Sequence, residues 1–189
     1  TPFNGDISSW DVSSVEGMSN MFRGTPFNGD ISSWNVSSVE SMTYMFMSSP
    51  FNGDLSSWDV SNVTNMTYMF KSSEFNQDLT DWDVSKVTNM RWMFAENSFN
   101  GDISSWDVSK VEDMGMMFRY NSSFSGDLSN WDVSSVDDME KMFENATSFN
   151  SDLSSWDVSS VTNMSNMFFF IDTNSVKIEI KSTLVKWTS

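Results

Sequence analysis

Cysteine and histidine are both missing from the 189 residues of this chain. Their absence removes disulfides, thiol nucleophiles, imidazole bases and the usual nitrogen and sulfur ligands of zinc. Basic residues are scarce: ten Lys and Arg stand against 26 Asp and Glu, a net charge of −16. Nucleic acid and anionic membrane surfaces are therefore poor partners, and cations or basic proteins better ones. No apolar run approaches the ~20 residues of a membrane-spanning helix, so this segment is not expected to insert into a membrane. A signal peptide is lacking too, and the chain opens at Thr1 inside a repeat, which reads as a mature or excised piece. Leu and Ala, normally among the commonest residues, are few.

Their place is taken by 16 Met, 16 Phe and nine Trp. Large aromatics bury much area per residue and Met fills irregular gaps, so a packed core is expected despite the abundant Ser, Asn and Asp. These residues recur in register. Phe3, Phe27, Phe51, Phe75, Phe99, Phe124 and Phe149 are separated by 24 residues four times and by 25 twice. Trp10, Trp34, Trp58, Trp82, Trp106, Trp131 and Trp156 follow them, and so do seven copies of Met18. Seven such units predict stacking, because no unit of this size buries its apolar face alone.

Within a unit, Trp10 and Val12 are spaced by two, as on a strand. From Val15 the apolar positions move to Met18, Met21 and Phe22, a three-to-four spacing that suits helical or 3₁₀ turns. Arg23-Gly24-Thr25-Pro26 carries turn chemistry. The expected order is strand, short helical segment, loop. Residues 1–171 form this seven-repeat stack. Residues 172–189 leave the pattern: Val176, Ile178 and Ile180 alternate with Lys177, Glu179 and Lys181. They read as a strand-like cap or assembly tail of net charge +1, against −17 for the residues before it.

The spacing Ile7-x-x-Trp10-x-Val12 matches the L-x-x-L-x-L core of leucine-rich repeats. The whole unit, F-N-x-D-[IL]-S-x-W-D-V-S-x-V-x-x-M-x-x-M-F, resembles the BspA-like leucine-rich repeat of bacterial and protist surface proteins and lipoproteins. The resemblance runs through residues 3–170. It implies a repeat solenoid with a parallel β-sheet on one face and short helical or 3₁₀ segments on the other. It also implies an extracellular or cell-surface location and roles in adhesion and in host or matrix interaction. One departure is that Val15, Val39, Val63 and their copies stand where the usual Asn follows the strand, so the familiar asparagine ladder is missing there.

Stacking aligns two acidic rows. One is Asp6, Asp30, Asp54, Asp78, Asp102, Asp127 and Asp152. The other is Asp11, Asp59, Asp83, Asp107, Asp132 and Asp157, with Asn35 as its second member. At the ~4.8 Å spacing of stacked strands, two carboxylates repel by roughly 0.9 kcal/mol in water. Two explanations stand: the rows bind a hard cation such as Ca²⁺, or the first row accepts backbone N–H groups in its turn while the second is merely solvated and screened. The second row is expected on an exposed sheet face with Ser9, Ser13 and their copies, a surface suited to a protein or glycan. Every Asp has counterparts in other repeats, whereas catalysis needs one asymmetric constellation; an enzyme is not expected. Six N-x-[ST] sequons occur, at Asn35, Asn62, Asn65, Asn121, Asn145 and Asn163. Asn121 and Asn145 lie in the loops of the two longer units, where a sugar is most easily placed. The expected function is binding or adhesion at a surface. The alternative is a filament in which the tail of one copy meets the uncapped first repeat of the next.

Overall fold

The computed structural model describes residues 3–170. Among them there is no helix and no continuous strand. The only strand-like pairings are six isolated parallel bridges that run through Gly17, Ser41, Asn65, Asn89, Asp113, Asp138 and Asn163. The expected parallel sheet and helical segments are therefore not formed. The strand-like cap or assembly tail at 172–189, and with it the tail-to-repeat contact, falls outside the described residues.

Turns replace both elements. The Trp10 amide donates to the Ile7 carbonyl (3.0 Å) and the Val15 amide to the Val12 carbonyl (2.9 Å), so two successive turns stand where a strand is expected. In the inner units the corresponding Ile31, Trp34, Val36 and Val39 are all buried because the chain bends between them, whereas Trp10 of the first unit is exposed. From Met18 onward the amides alternate. Those of Met21, Arg23 and Thr25 donate three residues back within the unit, each at 3.2 Å. Those of Met18, Asn20, Phe22 and Gly24 donate to Ser41, Thr43, Met45 and Met47 of the next unit at 2.8–3.0 Å. A helix is excluded because the third residue of every second such turn has positive φ, as at Asn20 (63°), Tyr44 (59°) and Ser48 (54°). Three-to-four apolar spacing fits this chain of turns as well as it fits a helix.

Two interleaved columns of Phe run through the stack. Rings of the Phe3 row lie 6.0–6.4 Å apart. Those of the Phe22 row lie 5.5–5.8 Å apart. The last Phe of one unit meets the first of the next at 3.9–4.3 Å. The separations within each row are those of favourable offset stacking. Trp34, Trp58, Trp82, Trp106, Trp131 and Trp156 are buried beside them. Each indole Nε1 donates at 2.9–3.2 Å to the Ile or Leu carbonyl of the preceding unit, beginning with Trp34 to Ile7.

Side chains also replace backbone acceptors on the opposite side. The amide of each residue after the leading Phe donates to the Asn of the unit before, from Asn28 to Asn4 through Ser125 to Asn100, at 2.7–3.3 Å. An asparagine ladder thus exists, one residue after Phe rather than at the Val15 row. Another Asn absorbs the extra residue of the longer fifth unit. The Asn121 Oδ1 accepts from both Ser123 (3.1 Å) and Phe124 (3.0 Å), and its Nδ2 donates to the Phe99 carbonyl (3.0 Å).

Trp58 therefore fills the core and ties two units together. Trp58→Ala is expected to cost about 3–5 kcal/mol by the cavity it leaves. Trp58→Phe removes the indole donor and part of the ring volume and is expected to cost about 1–2 kcal/mol. Denaturant unfolding measures both; a loss below about 1 kcal/mol for the alanine variant contradicts the packing described.

Candidate functional site

Both acidic rows are exposed and sit at turns. The Ser8 amide (3.0 Å) and hydroxyl (2.8 Å) donate to Asp6, and the Ser13 amide (3.1 Å) and hydroxyl (2.7 Å) donate to Asp11. The amides two residues on likewise donate to Asp59, Asp83, Asp107, Asp132 and Asp157 at 3.0–3.1 Å. Asn35 accepts from Ser37 in the same way at 3.1 Å. In the first row the serine amide leads in holding Asp6, Asp30, Asp54, Asp102 and Asp127 below the ordinary carboxylate range. In the second the hydroxyl leads, for Asp11, Asp59, Asp83, Asp132 and Asp157. Hydrogen bonds to the charged form explain the direction. Among the described residues no three acids gather to hold a metal ion. The second row lies on turns, not on a sheet face.

The sequons are placed unequally. Asn35 and Asn62 are exposed, whereas Asn65, Asn145 and Asn163 are half-buried. The Asn62 Nδ2 is engaged by the Ser37 carbonyl (2.8 Å). Asn65 and Asn163 accept from the amides of Thr67 (2.9 Å) and Ser165 (3.1 Å). Asn121 is fully buried, and its Nδ2, the atom that would carry a sugar, serves the Phe99 carbonyl. Of the two, Asn35 is open to solvent, whereas the Asn121 Nδ2 is enclosed in the folded chain.

A different surface gathers the remaining chemistry. It consists of the strip from Gly17 to Gly24 and its copies, where buried Met18 and Phe22 alternate with outward residues. Asn20 is succeeded along the stack by Tyr44, Tyr68, Trp92, Met116, Lys141 and Asn166. Tyr44 and Tyr68 stack at 4.6 Å and Tyr68 and Trp92 at 5.6 Å, with all three rings half-buried. The Arg23 guanidinium lies 5.0 Å over Tyr44, and Arg119 lies 5.2 Å from Trp92 and 4.7 Å from Tyr120. Cations thus flank a run of stacked rings along five units, Lys71 also lying 5.1 Å from the Trp92 ring, and each cation contact is favourable by the ring quadrupole. Because ring faces are spent on one another, the ridge offers ring edges, hydroxyls and guanidinium groups outward.

Beside the rings runs a polar row. Arg91 reaches across two further units, its Nη1 2.9 Å from Asp138 and 3.3 Å from Asp113 and its Nη2 2.9 Å from Glu140. Gly115 lies under this arm; a Cβ there would overlap the guanidinium. Burial pushes the Asp113 carboxyl up, only partly offset by the Gly115 amide and Arg91. Burial also opposes ionisation of Glu140, but Lys141 and Arg91 outweigh it and hold that carboxyl low. The sequence reading misses this ridge. Its signal is divergence among copies: the Trp10, Val12, Met18 and Phe22 rows are invariant or nearly so, while the Ser19 row reads Ser, Thr, Thr, Arg, Gly, Glu, Ser and the Asn20 row varies as much.

The Asx bonds have a pH consequence. Acids with lowered folded pKa contribute stability that is present above their ordinary value of 3.8 and lost as pH falls below it. Half-buried Asp113, with a raised pKa, acts oppositely, so its charge costs stability as pH rises through its folded pKa. The Asp59 row outnumbers it, and the melting temperature is expected to fall as pH drops below about 4. Asp59→Asn, which reproduces the bonding of Asn35, should keep stability at pH 7 and weaken the acid dependence. Asp59→Ala should lose a few tenths to about 1 kcal/mol at pH 7. Equal stability of the two variants at pH 7 would contradict the Asx role.

Among known families, the one described as Mycoplasma protein of unknown function, DUF285, matches residues 1–97 and again residues 71–182. No curated protein and no solved structure matches the chain. Two overlapping matches are what a family model yields on tandem units that exceed its own length. With nearly every residue inside one match or the other, and the repeat as their common content, the chain belongs to the family of Mycoplasma protein of unknown function, DUF285.

Proposed function

We propose that the chain is a non-enzymatic binding module displayed at a cell surface, with the Tyr44–Tyr68–Trp92 ridge as its contact surface. The observation that carries this reading is that all three Tyr and all three Arg of the chain, with Trp92, depart from the repeat pattern on one half-exposed ridge. Those residue types are the ones enriched where proteins meet. The repeated remainder of the unit serves the stack, which is how repeat proteins commonly present a continuous binding surface. Surface display rests on membership of a repeat family together with the resemblance to BspA-like surface proteins. A protein partner fits better than a sugar, because a sugar platform needs open ring faces and these are stacked. The acidic rows act as solvated, turn-forming structure around the ridge.

Beads coated with the protein test this. They are offered to cultured cells, to matrix-coated surfaces and to one another, beside beads carrying Tyr44→Ser/Tyr68→Ser/Trp92→Ser and beads carrying Lys86→Ala/Lys110→Ala, two lysines off the ridge. The wild type and the lysine variant should adhere, and the ridge variant should lose adhesion by about tenfold or more, as for loss of interface hot spots. No adhesion by the wild type in any arm, or equal adhesion by the ridge variant with its fold intact by circular dichroism, defeats the reading.

A further inference from the structure

Two demands of the stack meet in the residues that follow each leading Phe. The first residue is the ladder Asn, whose Oδ1 accepts an amide of the next unit, at 3.1 Å for Asn28, 2.8 Å for Asn52 and 2.8 Å for Asn100. The second lies against the Phe ring itself. A Cβ on Gly29, Gly53 or Gly101 would come within 2.9, 2.8 or 2.9 Å of the ring of Phe27, Phe51 or Phe99, closer than carbon atoms pack. Glycine accordingly fills this place in every unit but two, where Gln77 and Ser151 stand. The ladder selects Asn and the ring column selects Gly, so the fold itself places Asn4-Gly5, Asn28-Gly29, Asn52-Gly53 and Asn100-Gly101. Asn76 keeps the ladder bond (2.7 Å) but precedes Gln77.

We propose that Asn4, Asn28 and Asn52 are sites of spontaneous deamidation in the folded chain, with Asn100 a slower fourth. The backbone nitrogen of the following glycine loses its proton to solvent base and attacks the Asn Cγ. A C–N bond closes a succinimide ring, the Cγ–Nδ2 bond breaks, and the Nδ2 group takes up a proton and leaves as ammonia. Water then opens the ring at either carbonyl, so one water is consumed and one ammonia released for each Asp or isoAsp formed. Glycine favours closure because no side chain shields its nitrogen. All four asparagines are exposed, and their Nδ2 groups and the following glycine amides donate to nothing among the described residues. The amide that each Oδ1 already accepts stabilises the negative charge developing on that oxygen, as an oxyanion donor does. What differs is access to the glycine proton: Gly5 is exposed, Gly29 and Gly53 are half-buried, and Gly101 is buried against the Gln77 carbonyl. The two products act differently on the stack. Asp still accepts the next amide and adds charge beside the Asp30 row, whereas isoAsp lengthens the main chain by one carbon and spoils the register between units.

Peptide mass spectrometry of the folded full chain, held at mildly alkaline pH and sampled with time, reads every site separately. Asn4, Asn28 and Asn52 should gain the mass of an amide turned acid severalfold faster than Asn76, with Asn100 between them. In concentrated urea Asn100 should catch up with Asn28, because burial of Gly101 no longer holds it back. Asn28→Asp/Asn52→Asp copies the benign product and should keep the melting temperature at pH 7, whereas aged chains rich in isoAsp at those sites should melt lower. Conversion of Asn28 and Asn52 no faster than that of Asn76 in the folded chain overturns the inference. Asn100 keeping pace with Asn28 before unfolding also overturns it, since the dipeptide and not the fold would then set the rate.

Discussion

The polar groups buried inside each unit find their partners in the unit beside it, and this constraint sets everything else. A Trp indole in an apolar core needs an acceptor for its N–H, and Trp34 through Trp156 each find it on a carbonyl of the preceding repeat. Every second amide after Met18 likewise leaves its own unit. A repeat taken alone would bury unsatisfied donors and half of an aromatic column. Only stacking in register satisfies both needs. Where the extra residue occurs in the fifth unit, the Asn121 carboxamide gathers the two following amides and restores the register.

Register also explains the division of labour across the surface. Rows that close turns or fill the core are fixed by geometry: Asp11 accepts from Ser13, Asn4 accepts from Asn28, and Met18 and Phe22 are buried. The outward residues between the buried Met and Phe are bound by neither demand, because their amides and carbonyls are already paired along the stack. They are free to differ from unit to unit, and they do. Positive φ at Tyr44, Tyr68 and Trp92 turns these side chains away from the core and toward the same side chain of the next unit. The ladder of rings and guanidinium groups follows from placing large side chains in that row. Arg91 depends on the same freedom, since its arm crosses the fifth unit only where Gly115 leaves room.

Much was written in the sequence. Seven copies of Phe, Trp, Val and Met in fixed register determined that the units stack and which residues enter the core, because apolar area must leave water whatever path the backbone takes. The backbone path was decided only in three dimensions. A three-to-four apolar spacing is shared by a helix and by successive turns, and two-residue spacing is shared by a strand and by a pair of turns. What separates them is where each amide finds its acceptor, and those acceptors lie on the neighbouring unit. The buried carboxamide of Asn121 and the ridge had the same origin. The first is a sequon in a loop until the Phe99 carbonyl is placed beside it. The second is scattered Tyr, Trp and Arg among consensus residues until stacking brings positions 24 residues apart into ring contact.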